Sequence, residues 1–154
     1  MPPTESDLLI RPAVPGDATA LAAVHLASRA AAPMPPGTHP PDEVRAWLAD
    51  RLASDDEVWV VEDAGDVVAY LRMTPTWLDD LYVAPSHAGQ GLGSMLLDLA
   101  KARRPAGFSL WVFETNTPAR AFYRRHGLVE REHTDGSENE ERAPDLRMAW
   151  GPTG

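Results

Sequence analysis

The chain has 154 residues, 44% of them hydrophobic, enough to bury a continuous core and expected to form a single domain over 1–154. Its formal charge of −9 argues against general nucleic-acid binding, which normally shows a basic patch, and fits a cationic substrate better. Because it contains no cysteine, disulfides, a cysteine nucleophile and thiolate zinc sites are excluded.

The five histidines, His25, His39, His87, His126 and His133, show no metal-ligand spacing, so no metal is expected. The opening MPPTESD is proline-rich and acidic, unlike a signal peptide, and no stretch reaches the apolar length of a membrane span. The resulting expectation is a cytoplasmic protein with neither a membrane nor a nucleic-acid partner.

Residues 8–10 read as a short strand ended by Arg11-Pro12, with Asp17 as the cap of the next segment. In 17–30, Ala18, Leu21, Ala22 and Val24 recur at helical spacing. His25 lies beside that stripe and reads as a packed flank residue, since nothing nearby in sequence offers a partner. Residues 32–41 hold five prolines and a glycine and must be a loop, either a plain connector or a flap over a substrate. Helical spacing returns over 42–52 through Val44, Trp47, Leu48 and Leu52.

From Glu57 the period becomes strand-like. EVWVVE and VVAYLRMT flank the turn signal Asp63-Ala64-Gly65-Asp66, which predicts an antiparallel hairpin. After Pro75, residues 76–83 form the next extended run. It leads into the turn with Gly89, Gly91 and Gly93, and then into an apolar helix face of Leu92, Met95, Leu96 and Leu99 that ends before Pro105. Residues 108–113 read as a strand and 117–127 as a helix, with Pro118 in its first turn and Gly127 as its stop. Residues 128–131 and 146–150 close the chain as strands around a polar, acidic, mobile loop over 133–144. The order is β-α-α-β-β-β-α-β-α-β-β, a mixed α+β arrangement with a strand–turn–helix–strand unit at its centre.

That central unit carries the first chemical signal. The leading N–H groups of a helix lack intrahelical partners and carry the positive end of its dipole, and glycines at 89, 91 and 93 let a phosphate or pyrophosphate approach them. A P-loop would need GxxxxGK[ST], and no lysine stands in the required place. A dinucleotide fingerprint would need GxGxxG, but Ser94 occupies the last glycine position.

The downstream residues favour a third reading. NTPARAFYRRHGL carries Asn116, Ala119, Phe122, Tyr123, Gly127 and Leu128 in the pattern N-x-x-A-x-x-F-Y-x-x-x-G-[FL]. Upstream, Val83, Pro85, Gly91 and Gly93 match V-x-P-x-x-[RQ]-x-x-G-x-[GA], with Ala88 where Arg or Gln is usual. Together the two segments resemble the GNAT superfamily of acyl-CoA-dependent N-acyltransferases, and the likeness in kind extends to the opening LIRPAVPGDATALAAVH and the closing PDLRMAW.

The resemblance implies an α+β fold, a mixed central β-sheet with flanking helices whose fourth and fifth strands splay apart. It also implies acetyl-CoA as co-substrate, with the pantetheine arm pairing with backbone groups of Leu81, Tyr82 and Val83. The pyrophosphate would lie on the backbone of Ala88, Gly89, Gln90, Gly91, Leu92, Gly93 and Ser94, and backbone contacts would let binding survive the change at Ala88. Asn116 would touch the cofactor arm or cap its helix, two compatible roles. Tyr123 would protonate the departing thiolate, although it shares a helix face with Ala119 and Phe122 and could instead be core.

For the general base, Glu114 is preferred, with Asp80 next and Asp79 also at the strand end. Each could equally be a solvated carboxylate or a partner of Arg120 or Arg124. In an ideal strand Asp80 shares a face with Leu78 and Tyr82, an assignment a bulge would spoil. The implied activity is acetyl transfer from acetyl-CoA to a primary amine by direct attack, the amine being a small cationic molecule or a peptide or protein amine. The alternative is an acyl-CoA-binding sensor or a catalytically silent partner subunit. Exposed apolar strand faces would allow a homodimer.

Overall fold

The computed structural model describes residues 7–152, so residues 1–6 of the opening segment lie outside it. In chain order the elements are β1 (Leu8–Pro12), α1 (Ala18–Ala31), α2 (Pro41–Ala53), β2 (Glu57–Asp63), β3 (Asp66–Thr74), β4 (Trp77–Val83), α3 (Leu92–Arg103), β5 (Phe108–Phe113), α4 (Thr117–Arg125), β6 (Val129–Thr134) and β7 (Asp145–Trp150). The strands form one seven-stranded sheet in the order β1-β2-β3-β4-β5-β7-β6. Every neighbouring pair is antiparallel except β4 and β5, which are parallel. A parallel pair cannot be joined by a tight hairpin, and α3 makes the crossover.

Strand alternation divides the core between the two faces of this sheet. Leu71, Met73, Phe108, Leu110 and Met148 pack on one face with Leu96 and Leu97 of α3 and Tyr123 of α4. Val58, Val60 and Tyr70 pack on the other with Leu21 of α1 and Leu48 of α2. Adjacent Val60 and Val61 are both fully buried, one in each layer, as a period of two requires. The expected hairpin between β2 and β3 is present, and its central residues Ala64 (φ 50°) and Gly65 (φ 91°) both take the left-handed conformation of a two-residue turn.

Three local expectations change. Asp17 precedes α1, but its carboxylate makes no cap hydrogen bond to that helix; it accepts the Val14 N–H at 2.7 Å and both terminal nitrogens of Arg11 at 2.8 and 2.9 Å. A guanidinium offers stronger, charge-assisted bonds than the helix N–H groups. β1 runs through Pro12 because it is an edge strand, where a missing donor is tolerated. β6 runs to Thr134, so the acidic loop begins at residue 135, and Asn139 ties it together by bonding both the N–H and the C=O of Ala143.

Two irregularities prepare the site. The β4–β5 ladder holds only at Trp77 and Ser109, where the Ser109 N–H donates to the Thr76 carbonyl at 3.0 Å. Beyond this point the strands part, leaving facing backbone edges without ladder partners, as expected for the fourth and fifth strands. β4 also bulges: Arg72 lies opposite Asp80 and Met73 opposite Leu78, so Asp79 is the extra residue. Leu78, Leu81 and Val83 consequently share the α3 side, while Tyr82 belongs to the α1 and α2 side. The ideal-strand pairing of Asp80 with Leu78 is therefore lost.

Candidate active site

Where β4 and β5 part, a cavity of about 990 Å³ opens. Its lining takes in Asn116, which precedes α4, with Ala119 and Tyr123 of α4 on one face of the sheet and His25, Arg29 and Trp47 of α1 and α2 on the other. The opening thus passes through the sheet, so two reactants entering from opposite faces can meet at the β4 and β5 edges.

At the α4 side lies the glycine turn. Gly89 (φ 78°) and Gly91 (φ 83°) are left-handed, and a Cβ added to either would meet no heavy atom within 4 Å. The turn therefore needs glycine for its backbone, and the space beside it is open. Gly91 is the N-cap of α3, so the N–H groups of Leu92, Gly93 and Ser94 start the helix without intrahelical acceptors. Gly93 serves a different purpose. A Cβ there would lie 3.3 Å from Phe122 Cζ, so its missing side chain lets α3 and α4 pack closely. The Ser94 hydroxyl meets His126 Nε2 at 3.1 Å, and Ala88 and Gln90 are exposed.

α4 positions two side chains. The Ala119 N–H donates to Asn116 Oδ1 at 3.4 Å, so Asn116 caps the helix while also lining the cavity. At the other end Gly127 (φ 87°) lets the Leu128 N–H return to the Tyr123 carbonyl at 3.0 Å. Tyr123 is 8% exposed, packed in the core by its ring yet lining the cavity. Burial, and after it the charges of Tyr82 and Asp80, hold its phenol well above the usual range, so it is fully protonated at neutral pH.

On the opposite face runs a row of polar side chains that alternation brings together. Tyr70 lies directly across from Tyr82, and Arg72 across from Asp80. Arg72 Nε donates to Asp80 at 2.7 Å and Nη1 to Asp56 at 2.8 Å, with the guanidinium 4.8 Å above the Trp47 ring. Burial pushes the Tyr82 phenol up to about 12. From α1, His25 Nδ1 lies 2.9 Å from the Tyr70 hydroxyl, and its ring sits edge-on to Tyr82 at 4.8 Å. His25, which sequence left without a partner, therefore has one 45 residues away. The linear signal was charge inside two apolar strands, Y-x-R in β3 and D-x-Y after a second aspartate in β4.

The carboxylates expected as bases are placed unequally. Asp80 lines the cavity but is held by Arg72 rather than by Arg120 or Arg124. Asp79 lines it too, accepting from Thr74 Oγ1 at 2.8 Å, and desolvation raises its carboxyl above the usual range. Glu114 is exposed and is not among the cavity residues; its backbone carbonyl accepts from Arg120, whose guanidinium pairs with Glu130.

The two segments that sequence left least interpretable meet over the mouth. His39 of the 32–40 loop lies 3.0 Å from both Glu43 and Glu140, and Arg29 pairs with Glu141 at 3.1 Å. Glu43, Asp79, Asp80, Glu140 and Glu141 all line the cavity, beside Trp47, Tyr82 and Trp111.

The profile of the acetyltransferase (GNAT) family matches residues 24–128, which include β4, the glycine turn, β5 and α4. The chain belongs to that family. Among GNAT relatives, the peptidyl-lysine N-acetyltransferase YjaB of Salmonella typhimurium is 37% identical over 82 residues, a match spanning 53% of this chain and 56% of that protein. The apo form of YjaB from Escherichia coli superposes with a TM-score of 0.74 at 20% identity, covering 93% of this chain and 97% of that one. The PaiA N-acetyltransferase of Thermoplasma acidophilum, solved in complex with coenzyme A, gives 0.73 at 17% identity, covering 94% and 98%. The GNAT fold is thereby shared along nearly the whole chain. Among the described residues no helix is long and apolar enough to cross a membrane.

Proposed function

We propose that the chain transfers an acetyl group from acetyl-CoA to a primary amine by direct attack. The observation that carries this reading is the passage through the sheet at the β4–β5 parting, with an anion-receptive turn and Tyr123 on one side and an acidic, aromatic mouth on the other. The unpaired edge of β4 at Leu81, Tyr82 and Val83 suits the amides of a pantetheine arm. The open backbone at 88–94 and the dipole of α3 suit its pyrophosphate, and Asn116 can reach the arm beside Tyr123. Acetyl-CoA supplies the activated thioester; Tyr123 holds the proton that the departing sulfur needs.

The carboxylates at the mouth favour a protonated amine approaching from the α1 and α2 side, and the rings of Trp47, Tyr82 and Trp111 offer it π-faces. A peptide lysine, the substrate class in the name of the YjaB relative, and a small polyamine both meet this description. The test is release of free CoA from acetyl-CoA across a panel of amines. Amine-dependent release is the expected result. Binding of acetyl-CoA without release from any amine would favour the sensor or silent-subunit reading, which Ala88 and the exposed Glu114 support. Preferential binding of ATP or NAD would overturn both.

Gly91→Ala gives a separate check on the turn. A left-handed alanine is expected to cost about 1–2 kcal/mol in stability, measured by urea denaturation. Its methyl group would also project into the open space beside the turn. Calorimetry is expected to show weaker coenzyme A binding at temperatures where the variant is fully folded.

A further inference from the structure

His25 is hydrogen-bonded to Tyr70, and the place of the proton in that bond is set by the groups around it. The Tyr70 hydroxyl, on a residue with no exposed surface, is hydrogen-bonded to His25 Nδ1 at 2.9 Å, and Asp80 lies diagonally across the β3–β4 pair on the same face; burial first, and then the Asp80 charge, keep the phenol protonated. Asp80 is ion-paired to Arg72 at 2.7 Å and, as a carboxylate, can only accept. A phenol has a single proton. Given to His25, it would leave the phenol's lone pairs facing a carboxylate. Turned toward the Asp80 charge, it leaves the phenol free to accept from Nδ1–H, the orientation that the electrostatics of the site favour. The imidazole then carries its lone pair on Nε2. That nitrogen has no hydrogen-bond partner among the described residues, is not sealed from solvent, and belongs to a ring lining the cavity.

We propose that His25 Nε2 is the base that takes the proton from the acceptor nitrogen, with Tyr70 and Asp80 as positioning residues that hold its tautomer. This rests on the N-acetyltransferase reading. The ammonium gathered at the mouth first loses a proton to solvent; the lone pair of the neutral amine then attacks the thioester carbonyl carbon and forms the C–N bond. The C–S bond breaks, and its electron pair leaves with sulfur, which takes the Tyr123 proton. The surplus proton on nitrogen passes to His25 Nε2, and solvent restores both side chains. Glu114 is outside the cavity, and Asp80 is committed to Arg72, so neither competes for this place.

The groups around the ring keep it neutral at physiological pH. Burial is the largest influence and lowers its pKa below the usual 6.5; Arg29 and Arg72 lower it further, and Asp80 opposes them. The facing phenols Tyr70 and Tyr82 are both held protonated. A base of depressed pKa is active above that pKa and lost as pH falls through it, so the acid limb of kcat/KM should lie below pH 6.5.

The test uses the full chain, acetyl-CoA, and whichever amine of the panel the wild type turns over fastest. His25→Gln is expected to lower kcat about 100-fold. It should leave coenzyme A affinity unchanged and abolish the acid limb, and added imidazole should partly restore His25→Ala. Independently of turnover, ring nitrogen NMR shifts of the wild type are expected to show the Nδ1–H tautomer, with Tyr70→Phe weakening that preference. An active wild type whose His25→Gln variant keeps its kcat and acid limb overturns the base alone, as does an Nε2–H tautomer. A wild type that releases no CoA from any amine overturns the transfer reading and the base with it.

Discussion

Replacing Tyr123 with phenylalanine is expected to lower kcat about 100-fold while leaving acetyl-CoA binding and stability nearly unchanged, the size typical of removing a positioned acid. The ring packs in the core and is retained by phenylalanine, so no cavity forms. None of the described side chains contributes a hydrogen bond to the hydroxyl's elevated pKa, so its removal strands no buried partner. Burial makes the phenol hold its proton strongly, and desolvation of the sulfur beside it would raise the basicity of the leaving thiolate in the same direction. Steady-state kinetics with acetyl-CoA, calorimetry with coenzyme A and urea denaturation separate the three quantities. Unchanged kcat would show that Tyr123 is only a core residue.

Arg72→Leu is expected to be the most destabilising change in the site, about 3–5 kcal/mol, because it removes one partner of a buried ion pair. Arg72 is 8% exposed and Asp80 7%, and the guanidinium also serves Asp56 and covers Trp47. Without it a buried carboxylate has no cation, which costs more than the pair contributes when intact. The double variant Arg72→Leu, Asp80→Leu is expected to recover much of the loss in urea denaturation, since two apolar groups strand no charge. Failure of the double variant to recover would mean that Arg72 stabilises through Asp56 and Trp47 instead.

The contrast between Glu114 and His25 shows how far linear reading reaches. Glu114 stands next to the strand end and two residues before Asn116, so sequence proximity favours it as base. The chain turns there, and the carboxylate ends up outside the cavity. His25 lies on the first helix between the apolar Val24 and Leu26, yet α1 crosses β3 and β4 on the face where Tyr70, Arg72, Asp80 and Tyr82 align. The bulge at Asp79 adds a second effect: one extra residue exchanges the faces of everything before it, so a carboxylate's direction depends on a register that only strand pairing establishes.

What the sequence determined by itself was local. The periods of two and 3.6, the paired left-handed residues of the hairpin at Ala64 and Gly65, the glycine turn opening α3, and the Asn116 and Gly127 ends of α4 each arise from neighbouring residues. Backbone conformational demands and helix-end hydrogen bonds act over a few positions, so a short stretch of chain suffices to specify them. The tertiary structure alone decided which groups share the cavity that the expected parting of β4 from β5 opens: the bulge, the His25–Tyr70 contact, and the meeting of the 32–40 loop with Glu140 and Glu141. Those depend on which strands pair and how helices cross them, a sum of many weak packing terms that no single segment carries.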